Sequence, residues 1–262
     1  MTTEPPPLPE SDAERTEIRK LLQELGDDEA ASTNRIAVCA VIAAALASMG
    51  RILWVGGTII GPDRVTKASP FGFGDNRTVG IATVAQIGGQ LALGAINLLR
   101  AGNDYAASAL LRQLVEVEYL AHAFAAEHDT AAAWLRADRQ ARRSFWSPQK
   151  MRNRAGGEFI DEHYWSHCEL GGHPTTEGMP LLPDHSRTIT SAFLWVDLAG
   201  HLARIWTHVV VAAERVWGES ISMGDLKLPD VDAAVHAWRS TDGLYAALQD
   251  LGAQQHPERP SN

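Results

Sequence analysis

Leu-Leu-Arg-Ala-Gly-Asn-Asp-Tyr-Ala-Ala, residues 98–107, connects two long apolar stretches and decides how they pack. Gly102 can adopt the left-handed conformation that ends a helix, and the side chain of Asn103 can cap the first turn of the next helix. A connection this short leaves the two helices antiparallel and in contact. The sequence therefore predicts an antiparallel helix pair, about 78–101 and 104–128.

The rest of the chain also shows helical periodicity, and we find no convincing strand pattern. Further helices are predicted at about 11–26, 28–49 or as far as Trp54, 130–146, 187–218 and 229–251, with another that ends at Gly171-Gly172. Glycines and prolines in residues 56–77 predict one long loop. We therefore expect an all-α fold, a bundle of about seven to eight helices, most of them long and antiparallel.

This bundle is expected to form a single helical domain at residues 11–251, with a core unit at about 78–218. Residues 1–10 contain four prolines and are expected to form a disordered arm. Residues 252–262 are expected to form a disordered tail.

Composition narrows the class of protein. The 262 residues carry a formal charge of −9 and are 45% hydrophobic, which is typical of a globular chain with a substantial core. An acidic chain is not expected to coat DNA or RNA, because phosphate binding needs a basic surface, although a local basic site is still allowed. Cys39 and Cys168 form no Cys-x-x-Cys motif, and the N-terminus lacks the pattern of a signal peptide. A reduced, cytoplasmic location is therefore expected.

One stretch is long enough to cross a membrane. Residues 79–99 carry no charge, but Gln86, Gln90 and four glycines interrupt the apolar pattern. Residues 36–50 are apolar but too short for a span. Both stretches are therefore predicted to be buried helices of a protein that does not cross a membrane.

Three histidines lie in residues 157–174, Gly-Glu-Phe-Ile-Asp-Glu-His-Tyr-Trp-Ser-His-Cys-Glu-Leu-Gly-Gly-His-Pro. His163 and His167 are four residues apart and would share a helix face, and His173 follows the predicted helix end. Such a trio could bind a metal ion such as zinc, although the pair lacks the glutamate of the His-Glu-x-x-His motif. In the alternative, no cofactor is bound, His163 faces water, and His173 caps the helix end.

The predicted helix 104–128 is apolar around most of its circumference and should be buried. Arg112 and Glu116 lie four residues apart on its remaining arc. A buried charge must be paired, so we expect these side chains to bind each other or a ligand. They form either a structural ion pair or part of a catalytic centre.

Residues 135–154 carry seven arginines and lysines against a single acid, in a chain that is acidic overall. Guanidinium groups bind phosphate bidentately and aromatic rings stack on bases, so the segment predicts a site for a nucleotide or RNA. By their spacing, Arg136, Arg139 and Arg143 share one face of the predicted helix 130–146. The expected ligand contacts are Arg136, Arg139, Arg143, Arg152 and Trp146. The alternative is a solvated face whose arginines pair with the acids of the chain.

The predicted helix 187–218 carries a narrow polar stripe on an otherwise apolar surface. The stripe consists of Asp197, His201, Arg204, His208 and Arg215. Asp197 lies four residues before His201 and could orient its ring. Such a stripe faces solvent or lines an internal cleft, and solvent is the more common case.

Three short motifs occur in residues 90–175. They are 98–107, Leu-Leu-Arg-Gln-Leu-Val-Glu at 110–116, and a Tyr-x-x-x-(small)-…-His signature at Tyr164, Cys168 and His173. With these motifs the chain resembles an uncharacterised bacterial family of helical proteins, distantly similar to the HEPN (higher eukaryotes and prokaryotes nucleotide-binding) group. The resemblance implies a helical bundle in which Arg112, Glu116 and His173 come together.

HEPN ribonucleases carry an arginine followed by four to six residues and a histidine. Arg204 and His208 are separated here by three residues, so the chain departs from that motif. Cys168 also stands where the looser family pattern often has serine.

These observations leave three functional hypotheses. The first is recognition, with or without processing, of a phosphate-bearing ligand such as a nucleotide or RNA. In that case Arg112, Glu116 and His173 form the polar centre, with His173 as general base and Arg112 stabilising developing charge. The second is a metal-dependent hydrolase that uses His163, His167 and His173. The third is a non-enzymatic helical interaction protein, expected to be a homodimer, in which the Arg112–Glu116 pair is purely structural.

Overall fold

The computed structural model describes residues 12–59, 74–183, 188–218, 226 and 228–255, and every regular element in these residues is helical. The all-α class is therefore confirmed. The predicted arm 1–10 lies outside the described residues, as do residues 60–73 of the predicted loop and 256–262 of the predicted tail.

The helices follow one another with short connections. The first six are α1 (Asp12–Gly26), α2 (Glu29–Ile59), α3 (Asn76–Arg100), α4 (Asp104–Ala126), α5 (Thr130–Arg136) and α6 (Arg139–Phe145). They are followed by α7 (Pro148–Arg154), α8 (Asp161–His167), a π-helix (Cys168–Gly172) and a 3₁₀-helix (Thr176–Leu181). The last three are α9 (Thr188–Trp217), α10 (Val231–Thr241) and α11 (Gly243–Gln255).

The predicted turn between the two central helices is confirmed. Gly102 has a φ of +70°, and the Asn103 side chain accepts a hydrogen bond from the backbone N–H of Ala106 at 3.3 Å. Helices α3 and α4 pack against each other on either side of this turn. The residues of 98–107 therefore form the tight turn between two packed helices that the sequence predicts.

Helices α2 and α9 pack around the central pair, with α2 against α3 and α9 against α4. Close approach depends on glycine: a Cβ on Gly89 would lie 3.0 Å from the backbone nitrogen of Ala47, and one on Gly80 would lie 2.5 Å from the carbonyl oxygen of Ala131. Glycine at both positions thus lets a neighbouring backbone approach closely. Fully buried side chains fill the centre, among them Leu46, Met49, Leu111, Leu114 and Leu198.

The predicted loop 56–77 begins too early. Residues 56–59 are still helical, because Gly56 and Gly57 serve packing and not a turn. A Cβ on Gly56 would lie 2.7 Å from the ring of Trp217, and one on Gly57 would lie 3.0 Å from Thr78. The helix that was predicted to end between residues 49 and 54 therefore continues to Ile59.

Two predicted helices are each divided in two, so the helices outnumber the seven to eight expected. The predicted helix 130–146 breaks at Ala137, which is extended, and the Asp138 carboxylate then caps α6 through the N–H of Ala141 at 2.7 Å. The predicted helix 229–251 breaks at Asp242, whose carboxylate accepts hydrogen bonds from the first N–H groups of α11. Helix α11 also continues through residues 252–255, which were predicted to belong to the tail.

Two helices pass a length and composition test for membrane spans. They are Glu29–Thr58 and Asn76–Arg100, and 50% and 61% of their most apolar windows are buried inside the fold. Because α2 is longer than the apolar stretch 36–50, its length no longer argues against a span. Buried core helices of soluble proteins pass the same test, so this finding is weak evidence for a membrane.

Candidate metal centre

Glu118 is a buried acid that contacts a group of polar side chains from helix α9, and this group differs from the predicted centre of Arg112, Glu116 and His173. Glu118 lies on α4 in the same register as Leu111 and Leu114, and its side chain is only 2% exposed. Arg204 of α9 donates from Nε to Glu118 Oε1 at 2.7 Å and from Nη2 to Oε2 at 3.3 Å. His201 places its Nδ1 2.5 Å from the same Oε2. Three charged or polar groups thus meet at the α4–α9 contact.

The opposite nitrogen of His201 faces two further polar side chains. Its Nε2 lies 3.2 Å from Nε2 of His167 and 3.3 Å from Oδ1 of Asp197. His167 Nε2 lies 3.6 Å from the other carboxylate oxygen of Asp197. Each of these side chains offers a ligand atom, and the three atoms lie within 4.8 Å of one another.

These separations fit ligands of a single metal ion. Zinc binds imidazole nitrogen at about 2.0–2.1 Å, so two such nitrogens at tetrahedral or octahedral angles are about 2.9–3.4 Å apart. The 3.2 Å between the His167 and His201 nitrogens falls in this range. Two histidines and one carboxylate are also a common ligand set for divalent transition metals.

Glu118 determines which nitrogen of His201 is available. A lone pair on Nδ1 would be repelled by a carboxylate oxygen at 2.5 Å, so Nδ1 carries a proton and donates it to Glu118. In the neutral ring, Nε2 then offers its lone pair toward His167 and Asp197. A carboxylate behind the histidine is the usual arrangement around metal-binding imidazoles, because it fixes the tautomer and the ring orientation.

The charges of the centre balance when no metal is bound. Burial lowers the pKa of His201, but the carboxylates of Asp197 and Glu118 outweigh burial and raise that pKa to about 9. Burial raises the pKa of Glu118, but Arg204 and His201 bring that pKa down to about 2. Burial likewise raises the pKa of Asp197, and His167 and His201 outweigh it and hold that pKa well below its usual range. Two carboxylates thus face two cations.

His167 is the neutral member of the group. Burial is the main reason that its pKa lies below the ordinary value of 6.5, although Asp197 opposes the effect. A neutral imidazole is the form that binds metal. Metal binding at neutral pH therefore displaces no proton from Nε2 of His167, whereas it must displace one from Nε2 of His201.

The predicted metal trio is not the one that the structure brings together. His167 is buried, but His163 and His173 are exposed, and His173 follows the π-helix in an extended conformation. The side chains that lie beside His167 are Asp197 and His201 of α9, in place of the predicted His163 and His173. The predicted α-helix ends at His167 because the π-helix takes over, with Gly171 packed on Ser108 and Gly172 on Arg112.

The interpretation of the stripe on α9 is confirmed in one respect and corrected in another. Asp197 contacts the ring of His201, as its spacing predicts. The stripe does not simply face solvent, because His201 is buried and Arg204 pairs with Glu118. Helix α9 therefore lines an internal seam with part of its polar face. The sequence signal that was missed is Glu118, an acid in the apolar register of α4.

Arg112 and Glu116 pair with each other, as their spacing predicts, at 2.8 Å. Arg112 also donates to the hydroxyl of Tyr164 at 3.0 Å and to Sγ of Cys168 at 3.4 Å. The structure thus gathers Arg112, Glu116, Tyr164 and Cys168, while the imidazole of His173 is exposed and its carbonyl lies 3.5 Å from the hydroxyl of Tyr105. This second polar group lies on another face of α4 from Glu118.

The predicted ligand contacts of the basic segment are distributed over three helices. Arg139 and Arg143, with Arg142 and Ser147, line one open surface depression of about 540 Å³. Arg136 lies on α5, before the break, and donates to a carbonyl of its own helix.

The other two predicted contacts serve the interior or a local stack. Arg152 is buried, pairs with Asp161 at 2.5 Å and stacks on Tyr164, with 4.2 Å to the ring centroid. Trp146 is stacked against Arg154, at 5.1 Å to the ring centroid. The structure therefore keeps Arg139 and Arg143 together and places Arg136, Arg152 and Trp146 elsewhere.

The geometry of the centre is the basis for its functional interpretation. Comparison of the chain with protein-family models, with curated proteins and with solved structures gives no match.

Proposed function

We propose that this chain is a metal-dependent helical protein that holds one divalent transition ion, such as Zn²⁺, at His167, Asp197 and His201. The observation that carries the proposal is the convergence of two imidazole Nε2 atoms, 3.2 Å apart, on one carboxylate. In the metal-free protein the Nε2 proton of His201 lies between these acceptors, and a metal ion would take its place. Glu118 supports the metal reading, because it holds the far nitrogen of His201 in its protonated form.

Hydrolysis is the reaction class that this ligand set serves best. Three protein ligands leave at least one coordination position for water, and a zinc-bound water loses a proton near neutral pH. Asp197 and Arg204 are the partly exposed members of the group, so solvent reaches the centre from their side. This proposal keeps the class of the second hypothesis, a metal-dependent hydrolase, with two of its three ligands exchanged.

The test is metal stoichiometry and affinity. Metal-free protein is dialysed against Zn²⁺ and its metal content is measured, with His201→Ala and His167→Ala beside the unaltered chain. We expect one ion per chain and a loss of about a hundredfold or more in affinity in either variant, because each removes one of three ligands.

Two further variants separate this centre from the predicted trio. His163→Ala and His173→Ala should bind Zn²⁺ as the unaltered chain does. If these two variants lose the ion and His201→Ala keeps it, the trio His163, His167 and His173 is the site. If the unaltered chain binds no ion in its folded state, the proposal is wrong.

A second candidate function rests on the surface lined by Arg139, Arg142 and Arg143. Three guanidinium groups around one open depression favour a phosphate-bearing ligand such as a nucleotide or RNA. Binding of a mixed single-stranded RNA and of nucleotides should fall steeply with salt, and the double variant Arg139→Ala, Arg143→Ala should lose it.

The chain offers a matched control for that experiment. Arg15 and Arg19 are also exposed and four residues apart, on α1. Replacing both with alanine removes the same charge from another surface, so this double variant should still bind. Equal losses in the two double variants would attribute the binding to overall charge. The resemblance to HEPN proteins, the homodimer and the cytoplasmic location stay predictions.

A further inference from the structure

The residues of the candidate metal centre differ in their exposure to solvent. Glu118, His167 and His201 are buried, whereas the side chain of Asp197 is 37% exposed and that of Arg204 is 47% exposed. Both exposed residues belong to α9. The exposed part of the centre is therefore on the side of Asp197 and Arg204.

Gly200 lies on this open side, three residues after Asp197 and four before Arg204, so the three residues share one face of α9. Among the described residues, and apart from the backbone of its own helix, a Cβ at Gly200 would meet one atom within 4 Å, Nη1 of Arg204 at 3.6 Å. By contrast, a Cβ on Gly80 or Gly89 would press against backbone atoms of a neighbouring segment. Helix packing therefore gives no reason for glycine at position 200. The missing side chain leaves space beside the guanidinium group.

Arg204 has donors left for a ligand. Its Nε and Nη2 bind Glu118, and Nη2 also lies 2.9 Å from Nδ1 of His201. Nη1 points to the side of Gly200 and donates to no described residue. The guanidinium group stays charged, because arginine is not deprotonated in proteins. A fixed guanidinium with a free edge is a strong partner for an oxyanion.

Charge points to the same ligand class. A divalent ion contributes +2, Asp197 and Glu118 contribute −1 each, Arg204 contributes +1, and both imidazoles are neutral when they bind metal. The loaded centre then carries +1 and opens to solvent beside a guanidinium. An anion is the ligand that such a charge attracts.

We infer that the space over Gly200 is an oxyanion subsite of the metal centre, where Arg204 binds a carboxylate or phosphate group of the substrate. The inference rests on the proposed metal centre and names the substrate class for it. A small anionic molecule would place its oxyanion on the Nη1 edge of Arg204 and the neighbouring atoms at the ion.

The experiment uses the full-length protein loaded with Co²⁺, whose visible absorption reports its ligands. Co²⁺ stoichiometry is measured first, and inorganic phosphate and acetate are then titrated separately. We expect a saturable spectral change with at least one anion. In Gly200→Leu the side chain fills the subsite, so the apparent affinity for the anion should fall about tenfold or more while Co²⁺ is retained. Gly200→Ala, whose methyl group fills only part of the space, should lower the anion affinity less than Gly200→Leu does.

Arg204→Lys is the second variant, in case leucine at position 200 disturbs folding, which thermal unfolding will show. Lysine keeps the charge but not the bidentate edge, so anion affinity should again fall about tenfold. A response to phosphate alone identifies a phosphate-bearing substrate, and a response to both anions identifies a general oxyanion subsite. Either response supports the inference.

The subsite and the metal centre can fail separately. If Co²⁺ binds and neither anion changes its spectrum, the subsite is disproved and the metal centre stands. Equal anion affinity in Gly200→Leu and the unaltered chain also disproves the subsite. If folded protein binds no Co²⁺ and no Zn²⁺, the proposed function and the subsite fall together.

Discussion

Two regions of the molecule contain a buried ion pair, one between Arg35 and Asp242 and one between Arg204 and Glu118 in the candidate metal centre. The two regions differ in how their hydrogen-bond donors and acceptors are matched. Arg35 is 1% exposed and directs Nε and Nη2 to Asp242 at 2.7 and 2.8 Å. Its remaining donors reach the carbonyls of Leu25 and Gly26. Donors here meet acceptors, and no lone pairs are left facing one another.

Asp242 is satisfied in the same way. It accepts from Nε1 of Trp238 at 2.8 Å and from the N–H groups of Leu244 and Tyr245, which it caps. This network joins α1, α2, α10 and α11, and it has no opening for a ligand. We interpret it as purely structural.

The centre at Glu118 differs in one respect that matters for function. Glu118 is satisfied by Arg204 and by Nδ1 of His201, whereas the Nε2 atoms of His167 and His201 face each other and the carboxylate of Asp197. Without a metal, one proton on Nε2 of His201 serves two acceptors, Nε2 of His167 and Oδ1 of Asp197, and Asp197 is partly exposed. A network in which every donor has its own acceptor indicates structure, whereas acceptors that share one exchangeable proton beside an exposed side chain indicate a cation site.

The largest effect is expected from a substitution that breaks the buried network of Arg35 and Asp242, which we call the closed network. Arg35→Ala should lower the free energy of unfolding by about 3–5 kcal/mol, because it leaves the Asp242 carboxylate buried without its counter-charge. Denaturant unfolding of the metal-free protein measures it. The double variant Arg35→Met, Asp242→Asn removes both charges and keeps a capping carbonyl, so it should regain much of the loss. A loss below about 1 kcal/mol in Arg35→Ala would contradict the structural reading.

The next prediction tests whether Glu118 contributes to Zn²⁺ affinity through its hold on the ring of His201. Glu118→Gln keeps the shape of the side chain but weakens its hold on Nδ1 of His201, so Zn²⁺ affinity should fall about 10- to 100-fold. Competition with a coloured chelator measures the affinity. Glu116→Gln is the matched control on the same helix, because Glu116 pairs with Arg112 on a different face. Equal effects of the two variants would remove Glu118 from the centre.

Local signals in the sequence predict local structure well. Gly102 and Asn103 carry the central turn in their own conformational preferences, and the spacing of Arg112 and Glu116 is enough to pair them on one helix. The contact of Asp197 with His201 is predictable for the same reason. Each of these features depends on residues that are close in the chain.

The centre itself depends on which helices become neighbours. Glu118 and His201 are 83 residues apart, and His167 and His201 are 34 apart, so no spacing rule joins them. The pair His163 and His167 was a misleading signal, because burial of α8 turns one histidine inward and leaves the other outside. A charged residue in an apolar register, as Glu118 is, was the signal available in the sequence.

The third prediction concerns pH. His201 must give up the Nε2 proton to bind a metal, and its pKa is raised from the ordinary value of 6.5 to about 9. Zn²⁺ affinity should therefore rise about tenfold per pH unit from pH 7 toward 9, and each ion bound at pH 7 should release about one proton. Isothermal titration calorimetry in buffers of different ionisation enthalpy measures the release.

The same raised pKa has the opposite effect on the metal-free fold. Protonated His201 stabilises the folded state fully below pH 6.5, and this contribution is lost as pH rises through about 9. The closed network responds at the acid end, since hydrogen bonds from Arg35 and Trp238 outweigh burial and lower the pKa of Asp242. The contribution of Asp242 to stability is present above its unfolded-state pKa and is lost as pH falls through its folded-state pKa.

A Zn²⁺ affinity that does not change between pH 7 and 8 would exclude His201 as a ligand.

The smallest expected effect tests why glycine occupies position 200. Within a helix, glycine is less favourable than alanine by about 0.5–1 kcal/mol, so Gly200→Ala should raise the free energy of unfolding by that amount. In the described part of the chain outside its own helix backbone, the new methyl group meets Nη1 of Arg204 alone, at an ordinary 3.6 Å. Gly89→Ala should do the reverse, because its Cβ would lie 3.0 Å from the backbone nitrogen of Ala47 and would force α2 from α3. Denaturant unfolding of both variants distinguishes a glycine that the packing needs from one that the open edge of the centre needs. Destabilisation by Gly200→Ala would show that position 200 has a structural reason for glycine and would remove the argument for space beside Arg204.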